Sequence, residues 1–386
     1  MKKICFLVDS IFSFGGVQRV TAVIAKALAK DYDVTIVTLD KSSDKDTSLY
    51  DLNEADIRYR FFQFPKTNPF RWKCSKVYSA LYRKILPHTR LTSEWYSHSS
   101  FLSEKREALV QELNSGNYDV IVGVHASLAV RLAACKSELG DAKLIGWIHN
   151  SYQALFGENS RYCIGPELIQ YYEFQFAKLH HAIVLCQYDA LQYHFPTDVI
   201  YNPLTLKPGT LSTGTSKKFL AVGRFSRLHK GFDLLIQAFH LFAEKNKEWT
   251  LDIVGEGVEE LLYKQMIEEY GLQERITIHP FTNHIQSYYS NAQVYVLSSR
   301  WEGFGLVLVE AMAHGLPVVS SDLPTSKEIM GDFGLYFENG NIEELAQQLV
   351  EATHLDWQRK SKEALEITKR FDLNTIVEQW KQIIEE

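Results

Sequence analysis

The sequence predicts an α/β protein with two doubly wound domains, each a parallel sheet covered by helices. Strand-like and helix-like segments alternate along most of the chain, which is the pattern of parallel sheets with helical crossovers. At 386 residues the chain is long enough for two such domains. Residues 207–218 are rich in Ser, Thr, Gly and Lys and have the composition of a linker between them.

Elements of the first domain follow from apolar, β-branched runs and from helical periodicity. The apolar runs predict strands at residues 3–8, 33–39, 119–124, 143–147 and 182–185. Helices are expected at residues 18–30, 104–114 and 166–178.

The second domain continues the alternation, beginning with a strand-like run at residues 218–224. Further strands are expected at residues 249–254, 276–279 and 292–299, and helices at 233–245, 259–270 and 306–314. Residues 371–386 form an amphipathic helical pattern whose apolar face contains Ile376, Val377, Trp380, Ile383 and Ile384.

Composition excludes several classes of protein. A net charge of −6 argues against nucleic-acid binding, and no apolar run reaches the roughly 18 residues needed to span a bilayer. Asp9 interrupts the apolar run after Lys3, so residues 4–8 are interpreted as a first strand rather than a signal peptide. The five cysteines are odd in number and lack C-x-x-C spacing, which indicates reduced cytosolic thiols and no metal site.

The most informative segment runs from Glu302 to Glu310, two carboxylates separated by seven residues. It joins the strand at 292–299 to the helix at 306–314 through a loop with Gly303 and Gly305. A helix N-terminus offers free N–H groups and a favourable dipole to an anion, and glycines let the backbone approach phosphate closely. The pattern therefore suits a diphosphate flanked by two hydroxyl-bearing groups, as in a nucleotide-sugar.

This segment resembles the E-x7-E motif of the retaining GT-B glycosyltransferases of family 4, and the following run from Ala311 to Val319 fits the same pattern. The resemblance implies two Rossmann-like domains that face each other across a cleft. Residues 1–204, ending in a short strand and an Asn-Pro turn at 199–204, would bind the acceptor and be completed by the helix at 371–386. Residues 205–370 would bind the donor.

The resemblance also implies roles for the loop. Glu302 would hold hydroxyls of the donor sugar, and Glu310 would hold those of the ribose. The backbone N–H groups of Phe304, Gly305 and Leu306, beside Gly303, would bind the distal phosphate.

A second cluster lies in the run from Gly223 to Gly231, again between a strand and a helix. Its Arg224 and Lys230 match an Arg and a Lys that straddle the diphosphate in the family. Fixed cations there would neutralise the charge that grows as the nucleotide leaves.

Two features of the first domain match the family less specifically. Gly15 and Gly16 resemble its Gly-Gly loop between donor phosphates and acceptor, with Arg19 facing either the acceptor or solvent. The loop is not G-x-G-x-x-G, so a dinucleotide site is rejected. His149 ends a strand where the family often contacts the donor sugar near its C6 hydroxyl.

No metal or other cofactor is expected, because the nucleotide-sugar is a substrate and GT-B enzymes use cations and helix ends instead. The D-x-D pairs Asp31/Asp33 and Asp44/Asp46 are interpreted as surface residues.

Residues 57–93 contain nine basic residues and no acid, interleaved with aromatics. A helix over 73–86 would place Val77, Leu81 and Ile85 on one side, with the cations more exposed. We expect peripheral binding to an anionic membrane surface, with a mobile solvated insertion as the alternative. The expected patch comprises Arg71, Trp72, Lys73, Lys76, Arg83 and Lys84.

The expected function is retaining, metal-independent transfer of a hexosyl or N-acetylhexosaminyl group, with Glu302, Arg224, Lys230 and His149 as the catalytic set. UDP is the expected nucleotide, and a lipid-linked or cell-surface glycan is the expected acceptor, at the cytoplasmic face of the membrane. The alternatives are a sugar phosphorylase or synthase on the same scaffold, and a non-catalytic nucleotide-sugar-binding protein.

Overall fold

The computed structural model describes residues 1–157 and 163–386. These fall into two compact units: residues 1–157, 163–201 and 373–386 form the first, and residues 202–372 form the second. The predicted class, α/β with two Rossmann-like doubly wound sheets, is confirmed.

Among the described residues, the first unit has a seven-stranded sheet in the order β3-β2-β1-β4-β5-β6-β7. Its strands are β1 Lys3–Val8, β2 Asp33–Thr38, β3 Ile57–Phe61, β4 Val120–Val124, β5 Lys143–Trp147, β6 His181–Val184 and β7 Asp198–Val199. Pairing is parallel; Ile4 of β1 lies between Val34 of β2 and Val120 of β4. The strand order reverses between β1 and β4, and ligands of doubly wound sheets bind at the carboxyl ends of such strands.

The helices of the first unit connect these strands and cover the sheet. They are α1 Gly16–Leu28, α2 Pro69–Lys84, α3 Arg90–Ser100, α4 Ser103–Gly116, α5 Ala126–Ala134, α6 Tyr152–Phe156, α7 Ile169–Phe176 and α8 Gln187–Ala190. None of the helices in the described part of the chain is long and apolar enough to cross a membrane.

The second unit has a six-stranded parallel sheet in its described residues, ordered β10-β9-β8-β11-β12-β13. The strands are β8 Lys218–Val222, β9 Thr250–Val254, β10 Ile276–His279, β11 Val294–Leu297, β12 Val318–Ser321 and β13 Leu335–Phe337. The helices are α9 Arg227–Lys230, α10 Phe232–Ala243, α11 Glu260–Glu269, α12 Gln286–Asn291, α13 Leu306–Ala313, α14 Pro324–Met330, α15 Ile342–Thr353 and α16 Trp357–Thr368. Here the order reverses between β8 and β11.

The last helix, α17 Leu373–Glu385, belongs to the first unit. Trp380 is fully buried, with its ring 4.6 Å from that of Trp147 and 6.3 Å from that of Phe6. Two lysines bind carbonyls at the C-terminal end of α17. Lys2 Nζ donates to the Ile384 oxygen at 3.0 Å, and Lys143 Nζ donates to the Ile383 oxygen at 2.9 Å. Cations at a helix C-terminus also interact favourably with its dipole.

The helix predicted at 73–86 corresponds to α2, but the side of α2 that is buried against the protein differs from the expected one. Val77, Leu81 and Ile85, expected to be less exposed than the cations, are themselves 62%, 39% and 73% exposed. Tyr82 is the buried residue instead: its ring stacks on Tyr96 of α3, with centroids 4.5 Å apart. The reason is that α2 packs on α3 through this aromatic side, which leaves the aliphatic side facing solvent.

Candidate functional site

Both sequence motifs of the second unit start where its two central strands end. Residues 223–231 follow β8, and residues 298–305 follow β11, the strand paired with β8 in the sheet. Because these strands flank the reversal in strand order, their loops share the crevice in which doubly wound sheets bind ligands.

Lys230 and Glu302 meet in this crevice. The ammonium of Lys230 lies 2.6 Å from Oε1 of Glu302, and the two residues are 9% and 8% exposed. The hydroxyl of Ser299 donates to the same oxygen at 2.6 Å. On the other oxygen, Nε2 of His229 lies 3.7 Å away, and the His229 ring stacks on Trp301 with centroids 3.7 Å apart.

This arrangement sets the charge of Glu302. Burial alone would raise the pKa of its carboxyl, but the Lys230 ammonium and His229 together hold that pKa well below its usual range. Glu302 is therefore ionised at neutral pH. An ionised carboxylate only accepts hydrogen bonds, which suits it to the hydroxyls of a ligand.

Two glycines make room for Lys230. Gly231 has a φ of +62°, and a Cβ there would lie 2.1 Å from the carbonyl oxygen of Ser298. At Gly223, a Cβ would lie 3.0 Å from Cδ and Cε of Lys230. The hydroxyl of Ser298 also donates to the Lys230 carbonyl at 2.9 Å. A larger residue at either glycine would press on Lys230 or on its loop.

An ion-pair network braces the same loop. Arg300 donates to both carboxylate oxygens of Asp233 at 2.9 Å, and Arg227 Nε donates to one of them at 3.2 Å. Arg300 also donates to the Arg227 carbonyl. Bidentate Arg–carboxylate pairs fix geometry well, so Asp233 ties the residues before Lys230 to those before Glu302.

The start of α13 carries the predicted phosphate loop. Gly305 has a φ of +85° and precedes the helix, and its carbonyl accepts the Leu308 N–H at 2.9 Å. Phe304 is buried, and its ring lies 5.7 Å from that of Phe371. Gly303 and Leu306 are partly exposed. The first N–H groups of a helix have no intrahelical acceptor, so this end can donate to an anion.

Glu310 is the fifth of the eight residues of α13 and is buried. The hydroxyl of Tyr289 donates to its Oε2 at 3.0 Å, and Nδ1 of His314 lies 2.7 Å from its carbonyl oxygen. Tyr289 therefore orients the carboxylate that the motif assigns to ribose.

Arg224 behaves differently from Lys230. Its side chain is exposed and forms no hydrogen bond or ion pair with another residue in the described ranges. The structure thus brings Lys230, but not Arg224, into contact with Glu302.

In the first unit, the loop after β1 is held by Tyr50. The Gly15 N–H donates to the Tyr50 hydroxyl at 2.9 Å, and that hydroxyl donates to the Ser13 carbonyl at 2.9 Å. Gly16 begins α1, and the Arg19 N–H donates to the Gly15 carbonyl at 3.0 Å. Tyr50 itself has a φ of +57°, which is uncommon for a residue with a side chain.

His149 is buried near the ends of β4 and β5. Its ring lies 4.3 Å from that of Trp147 and 5.6 Å from that of His125, and Nε2 has no hydrogen-bond partner among the described residues. Burial lowers its pKa well below the usual value, with His125 adding to the effect. The imidazole is therefore neutral at physiological pH.

His125 follows β4 directly and has a φ of +74°. Burial lowers its pKa, although Asp9 and a hydrogen bond with Asn150 oppose that effect. Strained residues of this kind cluster at functional sites, so His125 joins the candidate residues.

Sequence reasoning missed His125, His229, Tyr50 and Tyr289. A signal existed for His229, because it immediately precedes Lys230 inside a motif already recognised. The other three act through contacts to residues distant in the chain, which local patterns do not indicate.

The D-x-D acids have partners on the protein. Asp31 pairs with Lys381 at 2.9 Å, and Asp33 pairs with Arg58. Asp46 accepts the Ser48 N–H at 3.0 Å. Among the residues that the structure describes, no group of three His, Cys, Asp or Glu side chains is arranged to hold a metal.

Comparison with known proteins identifies similar sequences and structures. Residues 205–369 match the family model described as Glycosyl transferases group 1. An uncharacterized glycosyltransferase of Haemophilus influenzae is 28% identical over 400 residues, covering 100% of both chains. The poly(glycerol-phosphate) alpha-glucosyltransferase of Bacillus subtilis is 28% identical over 197 residues, which span 49% of this chain and 28% of that enzyme. The structure of Anabaena HepE in complex with UDP and glucose superposes with a TM-score of 0.75 at 21% identity, covering 100% of both chains.

These matches define the fold: the protein has the fold of the GT-B glycosyltransferases. Its second unit carries the segment that matches the model of the glycosyl transferases group 1. The resemblance stated from the sequence is confirmed at this level, and the assignment to family 4 stays a prediction.

Proposed function

We propose that this protein is a glycosyltransferase that moves a hexosyl or N-acetylhexosaminyl group from a UDP-sugar to an acceptor hydroxyl, with retention of anomeric configuration. The observation that carries the proposal is the buried contact between Lys230 and Glu302 beside the start of α13. A cation, an ionised carboxylate and a helix N-terminus are the three groups that a sugar diphosphate requires. The solved structure of HepE in complex with UDP and glucose supports the choice of nucleotide.

Each group has a distinct task in this proposal. Glu302 accepts hydroxyls of the sugar, and Glu310, oriented by Tyr289, accepts those of the ribose. Lys230 and the N–H groups at Gly305 and Leu306 hold the distal phosphate. Arg224, whose exposed side chain lacks an internal partner in the described chain, is free to close on the diphosphate when it binds.

The reaction breaks the bond between the anomeric carbon and the diphosphate oxygen and forms a bond to the acceptor oxygen on the same face. The acceptor proton passes to the departing phosphate oxygen, so the products are the glycoside and UDP. Negative charge grows on the diphosphate, and a fixed ammonium stabilises it without reorganisation. Lys230 and the N-terminus of α13 supply this stabilisation, which is the basis for proposing metal-independent transfer.

Ligand-induced thermal shifts test the donor directly. UDP at 100 times its Kd should stabilise the chain by about 2.7 kcal/mol, whereas GDP and ADP should not at that concentration.

Glu302→Gln should lower kcat by about 10²–10³-fold and change UDP affinity far less, because Glu302 contacts the sugar. Glu244→Gln, an exposed matched change, should leave both unaltered. Equal turnover in Glu302→Gln, or no response to uridine nucleotides, would contradict the proposal.

The acceptor proposed here is a lipid-linked or cell-surface glycan, reached by peripheral binding to the cytoplasmic face of the membrane. Support comes from α2, whose exposed cations include Lys73, Lys76 and Lys84. Within the patch, Arg71 pairs with Glu104 and Arg83 with Glu167, both at 2.9 Å, so its charge is partly offset. The B. subtilis relative is named for an anionic polymer as acceptor, and its name specifies an alpha linkage.

NMR of the product's anomeric centre tests retention of configuration. A β-configured product from an α-linked donor would contradict retention.

A further inference from the structure

A basic pocket lies in the first unit between α2, α3 and the start of α4. Its volume is about 510 Å³, within the range of ligand-binding pockets. Four cations line it: Lys76, Arg83 and Lys84 from α2, and Lys105 from α4. Its described lining contains no Asp or Glu. Lys105 lies outside the basic segment of the sequence, so the pocket is a product of folding.

Most of this charge is not neutralised by the protein. Lys76, Lys84 and Lys105 have no carboxylate within 4 Å in the described part of the chain, whereas Arg83 pairs with Glu167 at 2.9 Å. The hydroxyl of Ser79, also in the lining, forms no hydrogen bond with any described residue. Ammonium, guanidinium and hydroxyl donors around one space form the donor set that binds phosphate.

An apolar stripe runs along the flank of α2 opposite most of the pocket lining, and Lys84 lies between the stripe and the pocket. Its residues repeat at intervals of three or four, so they lie on one side of the helix, and all of them are exposed. They are Phe70, Cys74, Val77, Leu81 and Ile85. Leu91 and Trp95 of α3 are likewise 61% and 57% exposed. An apolar stripe next to cations is the pattern of a helix that lies in a lipid interface, which favours a ligand with an anionic head and an apolar tail.

We propose that this pocket binds the anionic, phosphate-bearing headgroup of a membrane lipid, while the apolar stripe of α2 enters the lipid interface. The inference rests on the membrane part of the proposed function and deepens it, because it replaces general attraction to negative charge with a defined headgroup site. Trp72, which lines the pocket and is half exposed, is of a residue type enriched at the headgroup level of bilayers.

Vesicle co-sedimentation of the full chain tests this. Three vesicles are compared: phosphatidylcholine alone, phosphatidylcholine with phosphatidylglycerol, and phosphatidylcholine with oleate at the same zeta potential. The full chain should prefer phosphatidylglycerol over oleate, because only the former offers an anionic phosphate. Lys84→Gln with Lys105→Gln should remove this preference, whereas the matched double variant Lys66→Gln with Arg90→Gln should keep it. Each pair removes two exposed or partly exposed cations, and none of the four forms an ion pair among the described residues.

The expected difference is roughly tenfold weaker binding of the pocket variant than of the control variant to phosphatidylglycerol vesicles. Equal losses in both variants, or equal binding to oleate, would reduce the interaction to plain electrostatics and overturn the proposal. Binding of pyrophosphate or soluble polyphosphate without vesicle binding would also overturn it, in favour of a soluble anion. UDP stabilisation measured on the same samples keeps the two proposals apart, because the groups proposed to hold UDP lie in the second unit and the pocket lies in the first.

Discussion

Lys230 and Glu302 are 72 positions apart in the sequence, yet their charged groups lie 2.6 Å apart in a site that leaves each less than a tenth exposed. Burial of two charges costs desolvation energy, which their attraction offsets only when the geometry is good. Ser299 and His229 complete the contacts of the carboxylate. The pair is therefore a structural element as well as the proposed binding element, and the two roles can be separated by mutation.

Lys230→Met should lower the free energy of unfolding by about 3–5 kcal/mol, because it leaves the Glu302 charge buried without its ammonium. Adding Glu302→Gln should restore part of that loss, with a coupling energy above about 1 kcal/mol. Chemical denaturation of the four species measures this. The exposed pair Lys327–Asp322, 3.3 Å apart, provides the control cycle, with coupling of about 0–1 kcal/mol. Additive effects at Lys230 and Glu302 would contradict the prediction.

Asp233→Asn should weaken the loop that carries Lys230, since Arg300 and Arg227 would lose their carboxylate. We expect a loss of about 3 kcal/mol in unfolding free energy, typical of breaking a buried ion pair. UDP affinity should fall as well, because Lys230 is no longer held in place. Asp332→Asn, an exposed change in the same unit, should stay within about 0.5 kcal/mol of the unmodified chain. Unchanged UDP affinity in Asp233→Asn would show that the network does not position the loop.

Tyr50→Phe removes the hydroxyl that joins Gly15 to Ser13. Loss of these hydrogen bonds should cost about 1 kcal/mol and accelerate hydrogen exchange at the Gly15 amide. Tyr32→Phe is the matched control, because it removes a single hydroxyl contact, to Glu385 at 2.9 Å, elsewhere in the same unit. Similar exchange at Gly15 in both variants would mean that Tyr50 does not hold the loop.

His149 makes stability depend on pH. Its folded-state pKa is lower than that of the unfolded chain, so the unfolded state binds more protons below about pH 6.5. The contribution of the buried neutral imidazole to the free energy of unfolding is fully present above that pH and is lost as the pH falls. His149→Asn should therefore flatten the decline in Tm between pH 6.5 and 5, as measured by calorimetry. His125 contributes in the same direction. The variant His98→Asn, with an exposed imidazole, should follow the unmodified profile.

Local patterns predicted the parts of the fold that local chemistry determines. Apolar runs marked β1, β5 and β10 with their observed ends, and Gly-containing strand-to-helix turns marked both loops of the second unit. The motif from Glu302 to Glu310 was recognisable because strand, glycines and helix follow one another in the chain. Glu302 could then be placed after a strand end, and Glu310 on the following helix, without knowledge of any distant contact.

What could not be predicted depends on distant partners. The strand β3, Ile57–Phe61, alternates Arg with apolar residues, and Arg60 reaches Glu112 on α4 at 2.6 Å. In the sequence, the arginines of β3 resembled part of a basic insertion, because Glu112 lies far along the chain. The exposed side of α2 was assigned wrongly for a similar reason. Only the packing of Tyr82 on Tyr96 decides which side is covered.

The position of α17 has a consequence for how the protein is made. Residues 373–386 complete the first unit, but they leave the ribosome only after all of residues 202–372. Until then the site that receives Trp380, formed by Phe6 and Trp147, is uncovered. At about 5–20 residues per second, the nascent first unit waits roughly ten to thirty seconds with an open apolar face. The described residues of the second unit, 202–372, are continuous in the chain, so that unit meets no such delay and can reach its native state before its predecessor does.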